Sequence, residues 1–171
     1  MASPILTYRL SVPGDYDALK QLGVRAFSQY APELGAEDWA KMSTGLNDDT
    51  KFKALVAQSR CFVCEHNDTI VGMSFYVPHG NAWDVFPDEW SYIRMVSVHP
   101  DYQGLGIARA LTVQCVDYAR ATNEQIIALH TSEMMHAARH IYESLGFTVF
   151  SELPLRFGKK YWLYTLHLDK S

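Results

Sequence analysis

The segment of the chain best suited to chemistry is Val96-Ser97-Val98-His99-Pro100-Asp101-Tyr102-Gln103-Gly104-Leu105-Gly106-Ile107-Ala108. It reads as a strand that stops at His99-Pro100, a turn with two glycines, and a helix that starts at once. That arrangement favours an anion. The first amides of a helix have no partner inside it, and the helix dipole adds partial positive charge at the same end. Gly104, Gly106 and Ala108 lack side chains large enough to hold a phosphate away. Such a loop can grip a pyrophosphate without a basic patch, which suits 15 Lys+Arg against 19 Asp+Glu and a net charge of −4. The dinucleotide fingerprint G-x-G-x-x-G would need glycine where Arg109 stands, and no G-K-[ST] marks a P-loop. A nucleotide domain with another ligand therefore fits less well. The plainer alternative is a glycine turn that only joins strand to helix.

A second candidate is Cys61-Phe62-Val63-Cys64, with His66 close behind. A redox C-x-x-C opens a helix, whose N-terminus stabilises the thiolate. Here it falls in Arg60–Glu65, an apolar run that reads as a strand, and strand residues three apart point to opposite faces. Zinc would need a fourth ligand that the sequence does not place. The odd count of three, with Cys115, also argues against a disulfide framework. The expectation is buried thiols and no metal.

The elements that must position the loop follow from pattern. Thr7–Val12 reads as a strand, with Pro13-Gly14-Asp15 breaking it and Asp15 placed to cap a helix over Tyr16–Tyr30. Pro32 to Thr50 reads as a loop with a short helix, and Asp49 through Gln58 as a helix. Arg60–Glu65 and Thr69–Val77 form a hairpin across His66-Asn67-Asp68. Pro78 to Trp90 is a loop, Ser91–Val98 a strand, and the loop helix runs to about Thr122. Gln125–His130 is a buried strand, and Met134–Leu145 a helix closed by Gly146 in a left-handed cap. Thr148–Leu153 and Lys160–Leu168 end the chain as strands.

The 171 residues, 48% hydrophobic and 20% charged, make one globular domain over 1–171. The absence of any Lys/Arg run beyond Lys159-Lys160 predicts no nucleic-acid partner. Met1–Leu10 lacks the form of a signal peptide, and no window approaches 18 apolar residues, so no membrane partner and a cytoplasmic location are expected.

Two motifs together resemble one family. Gln103-x-x-Gly106-x-Ala108 resembles the Q/R-x-x-G-x-G/A loop of the GNAT acetyltransferase superfamily. Ala138-Arg139-His140-Ile141-Tyr142-Glu143-Ser144-Leu145-Gly146-Phe147 is similar to that family's A-x-x-x-Y-E-x-L-G-F signature. The order of elements is similar along nearly the whole chain. The resemblance implies an α/β single-domain GNAT-like fold, a mixed twisted sheet of about six or seven strands flanked by about four helices. It also implies acetyl-CoA as cosubstrate and transfer of acetyl to a primary amine by direct attack on the thioester. The acceptor would be a small-molecule or peptide amine, and pairing through the C-terminal strands would give a homodimer.

Carried onto matching positions, the phosphate cradle is Gln103, Gly104, Leu105, Gly106, Ile107 and Ala108, with Arg109 as an added contact. Main-chain groups of Val96 and Val98 would meet the pantetheine, and N–H groups near Met95–Ser97 the thioester oxygen. Tyr142 would be the general acid that protonates the departing thiolate, a phenol with an ordinary pKa of about 10 keeping its proton at neutral pH. Relatives often have a Glu at the start of the strand where this chain reads Ser91-Tyr92-Ile93-Arg94, so the base must lie elsewhere. Glu133 is the candidate, with Glu89, His130 and His79 as alternatives. Met135 stands where relatives often have Asn. The acceptor pocket is expected among Tyr30, Trp39, Trp83, Phe86 and Trp90, with Asp84, Asp88 and Glu89 attracting a cationic amine. Without the strand Glu, a non-catalytic acyl-CoA-binding sensor is the alternative function.

Overall fold

The computed structural model describes residues 3–168. Met1 and Ala2, the head of the stretch read against a signal peptide, and residues 169–171 lie outside them. The strands are β1 (Thr7–Leu10), β2 (Arg60–His66), β3 (Thr69–Val77), β4 (Ser91–Val98), β5 (Ile126–Ser132), β6 (Thr148–Arg156) and β7 (Lys159–His167). The helices are α1 (Tyr16–Phe27), α2 (Ala31–Leu46), α3 (Asp49–Gln58), α4 (Ile107–Ala121) and α5 (His136–Ser144). The strands form one mixed sheet in the order β1-β2-β3-β4-β5-β7-β6, with β4 and β5 parallel and the other pairs antiparallel.

β3 is buried on both faces, which is why Thr69–Val77 reads as a nearly continuous apolar run. Met73, Phe75 and Val77 meet Leu19 and Leu22 of α1 and Phe52 and Leu55 of α3. On the other face Tyr76, with Ile93 and Ile127 beside it, meets Cys115, Val116 and Ala119 of α4 and Tyr142 of α5. Cys61 belongs to the first layer and Cys64 to a cluster with Ile107 and Leu111, so the two sulfurs diverge as strand geometry requires. All three cysteines are free and buried. Burial pushes the Cys61 and Cys115 thiols up to about 12, and the Cys64 thiol up as well, so none is a thiolate at neutral pH.

The hairpin between β2 and β3 turns on Asn67 and Asp68, both at positive φ, the twist that favours two-residue loops. Gly146 closes α5 at a φ of 101°. Several boundaries differ from the sequence reading. β1 stops at Leu10, and α1 stops at Phe27 before a 3-10 turn over Ser28–Tyr30. Asp15 stands at the N-cap position of α1, but its side chain makes no capping hydrogen bond there. Its carboxylate accepts the Val12 amide at 2.8 Å and both arms of Arg9 at 2.7 and 3.0 Å. The largest difference is α2, two helical pieces meeting at a kink at Gly35, where a loop with a short helix was expected. Pro32 falls in its first turn, where no N–H is missed, and Gly35, at a φ of 80°, breaks it without ending it.

Candidate active site

Three local distortions make the site. The first is in β4. Its pairing with β3 passes from Phe75↔Arg94 to Met73↔Ser97, so Met95 and Val96 together face Ser74. This is a β-bulge, and Met95 sits in it at a φ of 52°, a conformation rare outside glycine. Gly23 of α1 gives the Met95 side chain room, because a Cβ there would stand 2.8 Å from Met95 Cε.

The second is the parting of β4 from β5. The two strands pair only at Ser91↔Ile127 and Tyr92↔Ala128. Ser91 Oγ donates to Ile126 O at 2.8 Å and pins the closed end. From Ile93 onward β4 has no ladder on that side, whereas β5 stays fully paired to β7. The edge of β4 thus offers main-chain groups to whatever lies in the wedge.

The third is the loop. His99 N donates to Val71 O at 2.8 Å, a 3-10 turn follows over Pro100–Tyr102, and Gln103 is extended. Gly104 and Gly106 have φ of 79° and 80°, and a Cβ on either would meet nothing within 4 Å. Backbone conformation therefore demands glycine, and the free space beside it is a concavity. Gly106 is the N-cap of α4 and no side chain caps it. The first helical bond comes from Ala110 N to Gly106 O, so the amides of Ile107, Ala108 and Arg109 precede any bond within the helix.

One cavity of about 810 Å³ joins these features. It takes in Gln103, Gly104, Gly106, Ile107, Ala108 and Arg109 at the loop, and Val96 and Val98 along β4. Leu105, 41% exposed, is not part of its lining. Arg109 Nη1 donates to Ser144 Oγ at 2.7 Å, tying α4 to α5, and Gln103 Nε2 donates to Gln29 Oε1 at 3.0 Å.

Tyr142 lines the same cavity from α5, its ring edge-on to Phe147 with centroids 6.0 Å apart. Burial raises its phenol pKa, with smaller contributions from Tyr30 and Cys115. Ser132 Oγ is the only sealed side-chain oxygen or nitrogen without a partner among the described residues. The Tyr142 hydroxyl forms no hydrogen bond there either, so it is open to the cavity it lines.

Of the four candidate bases, His130 alone lines the cavity. Glu133 Oε2 instead accepts the Lys160 amide at 2.7 Å, outside the cavity, because β5 ends at Ser132 and the chain turns along β7. His79 Nδ1 lies 2.6 Å from Glu124 Oε1, beyond the closed end of the wedge, and Glu89 is exposed. His130 stacks on Phe86 at 5.5 Å. Burial first, then Arg156 and Arg94, hold its pKa down to about 4, so the imidazole is neutral at physiological pH.

The acceptor end also differs from expectation. Tyr30, Trp83 and Asp84 line it, but Trp39 packs with Leu34 and Met42, Trp90 with Phe150, and Phe86 is buried under Tyr92. Asp88 and Glu89 are exposed and outside the cavity. Asp84 is not a free anion, since Arg156 grips it through Nη1 at 2.7 Å and Nη2 at 3.0 Å. Arg94, Arg156 and Tyr161 line this end and were not among the residues the sequence suggested for it. The signal was faint: an arginine in an apolar strand next to a wedge.

A parted parallel strand pair, a bulge beside it and a glycine turn at a helix start open one cleft across an α/β sheet. The chain belongs to the acetyltransferase (GNAT) family, whose sequence model matches residues 19–147. It is 31% identical over 105 residues to the L-amino acid N-acyltransferase MnaT of Escherichia coli, covering 59% of this chain and 58% of that protein. It is 30% identical over 152 residues to the mycothiol acetyltransferase of Thermomonospora curvata, covering 85% of this chain and 45% of that protein. The chain thus spans about half the length of these curated relatives. Among solved structures it resembles yncA, an acetyltransferase from Salmonella typhimurium with its cofactor acetyl-CoA, at a TM-score of 0.74 and 22% identity over 97% of this chain and 95% of that one. PaiA N-acetyltransferase from Thermoplasma acidophilum, in complex with coenzyme A, gives 0.75 at 10% identity over 96% and 99%. Among the described residues no helix is long and apolar enough to cross a membrane.

Proposed function

We propose that the protein is an acetyl-CoA-dependent N-acetyltransferase that acts on a primary amine in the cytoplasm. The observation that carries this reading is the single cavity joining the anion cradle, the unpaired edge of β4, Tyr142 and the pocket around Trp83 and His130. The fit to acetyl-CoA is physical. The space beside Gly104 and Gly106 and the free first amides of α4 suit a pyrophosphate, with Gln103–Arg109 around it. The open edge of β4 at Val96 and Val98 suits the amides of pantetheine. When bound, the thioester supplies an activated acetyl group.

The chain's own residues do the rest. β4 amides at the bulge around Met95–Ser97 stand out of regular pairing with β3, which supports a place for them at the thioester oxygen. Tyr142 holds a proton on Oη that its raised pKa keeps there at any physiological pH, ready for the departing sulfur. His130, which lines the cavity where Glu133 does not, is the residue placed to take the proton of the attacking amine. Two relatives, an L-amino acid N-acyltransferase and a mycothiol acetyltransferase by name, support a small acceptor over a protein. A homodimer through β6, the outer strand with exposed Val149, Phe150 and Leu155, completes the reading.

The test is release of CoA thiol from acetyl-CoA with and without a panel of primary amines. Amine-dependent release is expected. Tight CoA binding with no release for any amine would favour the sensor.

A further inference from the structure

We infer that the acceptor amine carries a carboxylate, anchored by Arg94, on an uncharged apolar body; this rests on the acetyltransferase reading. Arg94 lies two residues beyond the last β4–β5 pair, where the wedge begins to open, and lines the cavity. Its guanidinium carbon is 3.5 Å from the centroid of the Trp83 ring. Stacking uses the flat face of the group and leaves its N–H edge available. Among the described residues the structure records no hydrogen bond or ion pair for those N–H groups, and Asp84, the carboxylate near enough to act on Arg94, is held by Arg156. A half-buried cation without an anion is costly, and a carboxylate matches its planar fork with two parallel hydrogen bonds.

Two other titratable groups at this end are already accounted for. Arg156 spends both arms on Asp84, and His130 is neutral. That leaves the acceptor end with a net positive field, which repels polyamines and other amines with a second positive charge. Besides Trp83, which stacks on Arg94, Tyr161, Phe157, Leu129 and Met42 line the same cavity, a surface for an apolar or aromatic side chain. An arriving carboxylate would also offset the two arginines that help hold His130 down, so its affinity for a proton rises as the acceptor binds.

The experiment compares matched acceptors, the free amino acid and its carboxamide, for methionine, leucine and phenylalanine, with spermidine alongside. CoA release is followed for wild type, Arg94→Gln and Arg94→Lys, with CoA affinity measured by calorimetry and melting temperature as the fold control. Wild type should favour at least one free acid over its amide by about 100-fold or more in kcat/KM. Arg94→Gln should raise KM for that acid by about 10- to 100-fold, leave the amide's KM and the CoA affinity unchanged, and Arg94→Lys should recover part of the loss. Equal rates for acid and amide, a preference for spermidine, or equal losses for both members of a pair would overturn the inference. Should no amine release CoA, catalysis fails as a reading, and calorimetric binding of the same acids to the CoA complex decides the anchor alone. Binding lost in Arg94→Gln would uphold it, and no binding or unchanged binding would end it.

Discussion

Gly72 of β3 touches the first turn of α4 through Ile107: a Cβ on Gly72 would stand 2.6 Å from Ile107 Cγ2 and 3.1 Å from Leu111 Cδ1. The glycine sets how closely the cradle helix approaches the sheet. Gly72→Ala must push α4 outward, with an overpacking cost of about 1–3 kcal/mol. The expected outcome is a melting temperature lower by roughly 2–4 °C per kcal/mol together with weaker CoA binding. Thermal denaturation and calorimetric titration of the same sample check both, and a stability loss with intact CoA affinity would separate the helix position from the cradle.

Gly106→Glu places a negative side chain in the concavity and forces a φ of 80° on a residue with a Cβ. CoA affinity should fall by about 100-fold or more, since the charge opposes phosphate where the helix end had favoured it. Titration of the variant with CoA measures this. Affinity within twofold of wild type would remove the loop from the binding site.

Tyr142→Phe removes a proton and almost no volume. Turnover should drop by about 10²- to 10⁴-fold, with CoA affinity unchanged. The same phenol makes a pH prediction. Its folded pKa is raised, so the stability it contributes is full below the unfolded pKa of about 10 and is lost as pH rises beyond that. Wild type should therefore lose more melting temperature than Tyr142→Phe between pH 9 and pH 11.

His130 has the opposite sign. Its folded pKa, about 4, lies below the unfolded value of 6.5. Its contribution is present above pH 6.5 and is lost as pH falls through 4. Between pH 7 and pH 4 wild type should destabilise more steeply than His130→Gln, after carboxylate effects common to both are subtracted. Circular-dichroism melts across that range give the difference, and parallel slopes would mean the imidazole is not held neutral by its surroundings.

The glycine loop was legible because its geometry is local: a strand end, two glycines and a helix start are written in thirteen consecutive residues, whereas Tyr142, outside them, was singled out by the family resemblance. The succession of strands and helices along the chain was equally plain from alternating and continuous apolar runs. The acceptor end was not. Asp84 reads as bait for a cationic amine until Arg156, 72 residues away, is seen to hold it. Trp39 and Trp90 read as pocket walls because nothing in a sequence tells an aromatic packed on a neighbour from one facing a cavity. Glu133 lies outside the cavity because a turn of the chain sends its carboxylate to the Lys160 amide. α2 was missed because its exposed, polar face outweighs Leu34 and Met42, the two positions that bury.

The parting of β4 from β5 has a mechanical consequence. With only two pairs and the Ser91 pin between them, the sheet is two plates that share a corner, β1 to β4 on one and β5 to β7 on the other. Arg109 to Ser144 and Arg156 to Asp84 are thin stays across the seam. A molecule lying along the wedge is then a structural member as much as a reactant. It fills the missing ladder and braces the two plates, so occupancy by the first substrate sets the alignment that the second one meets.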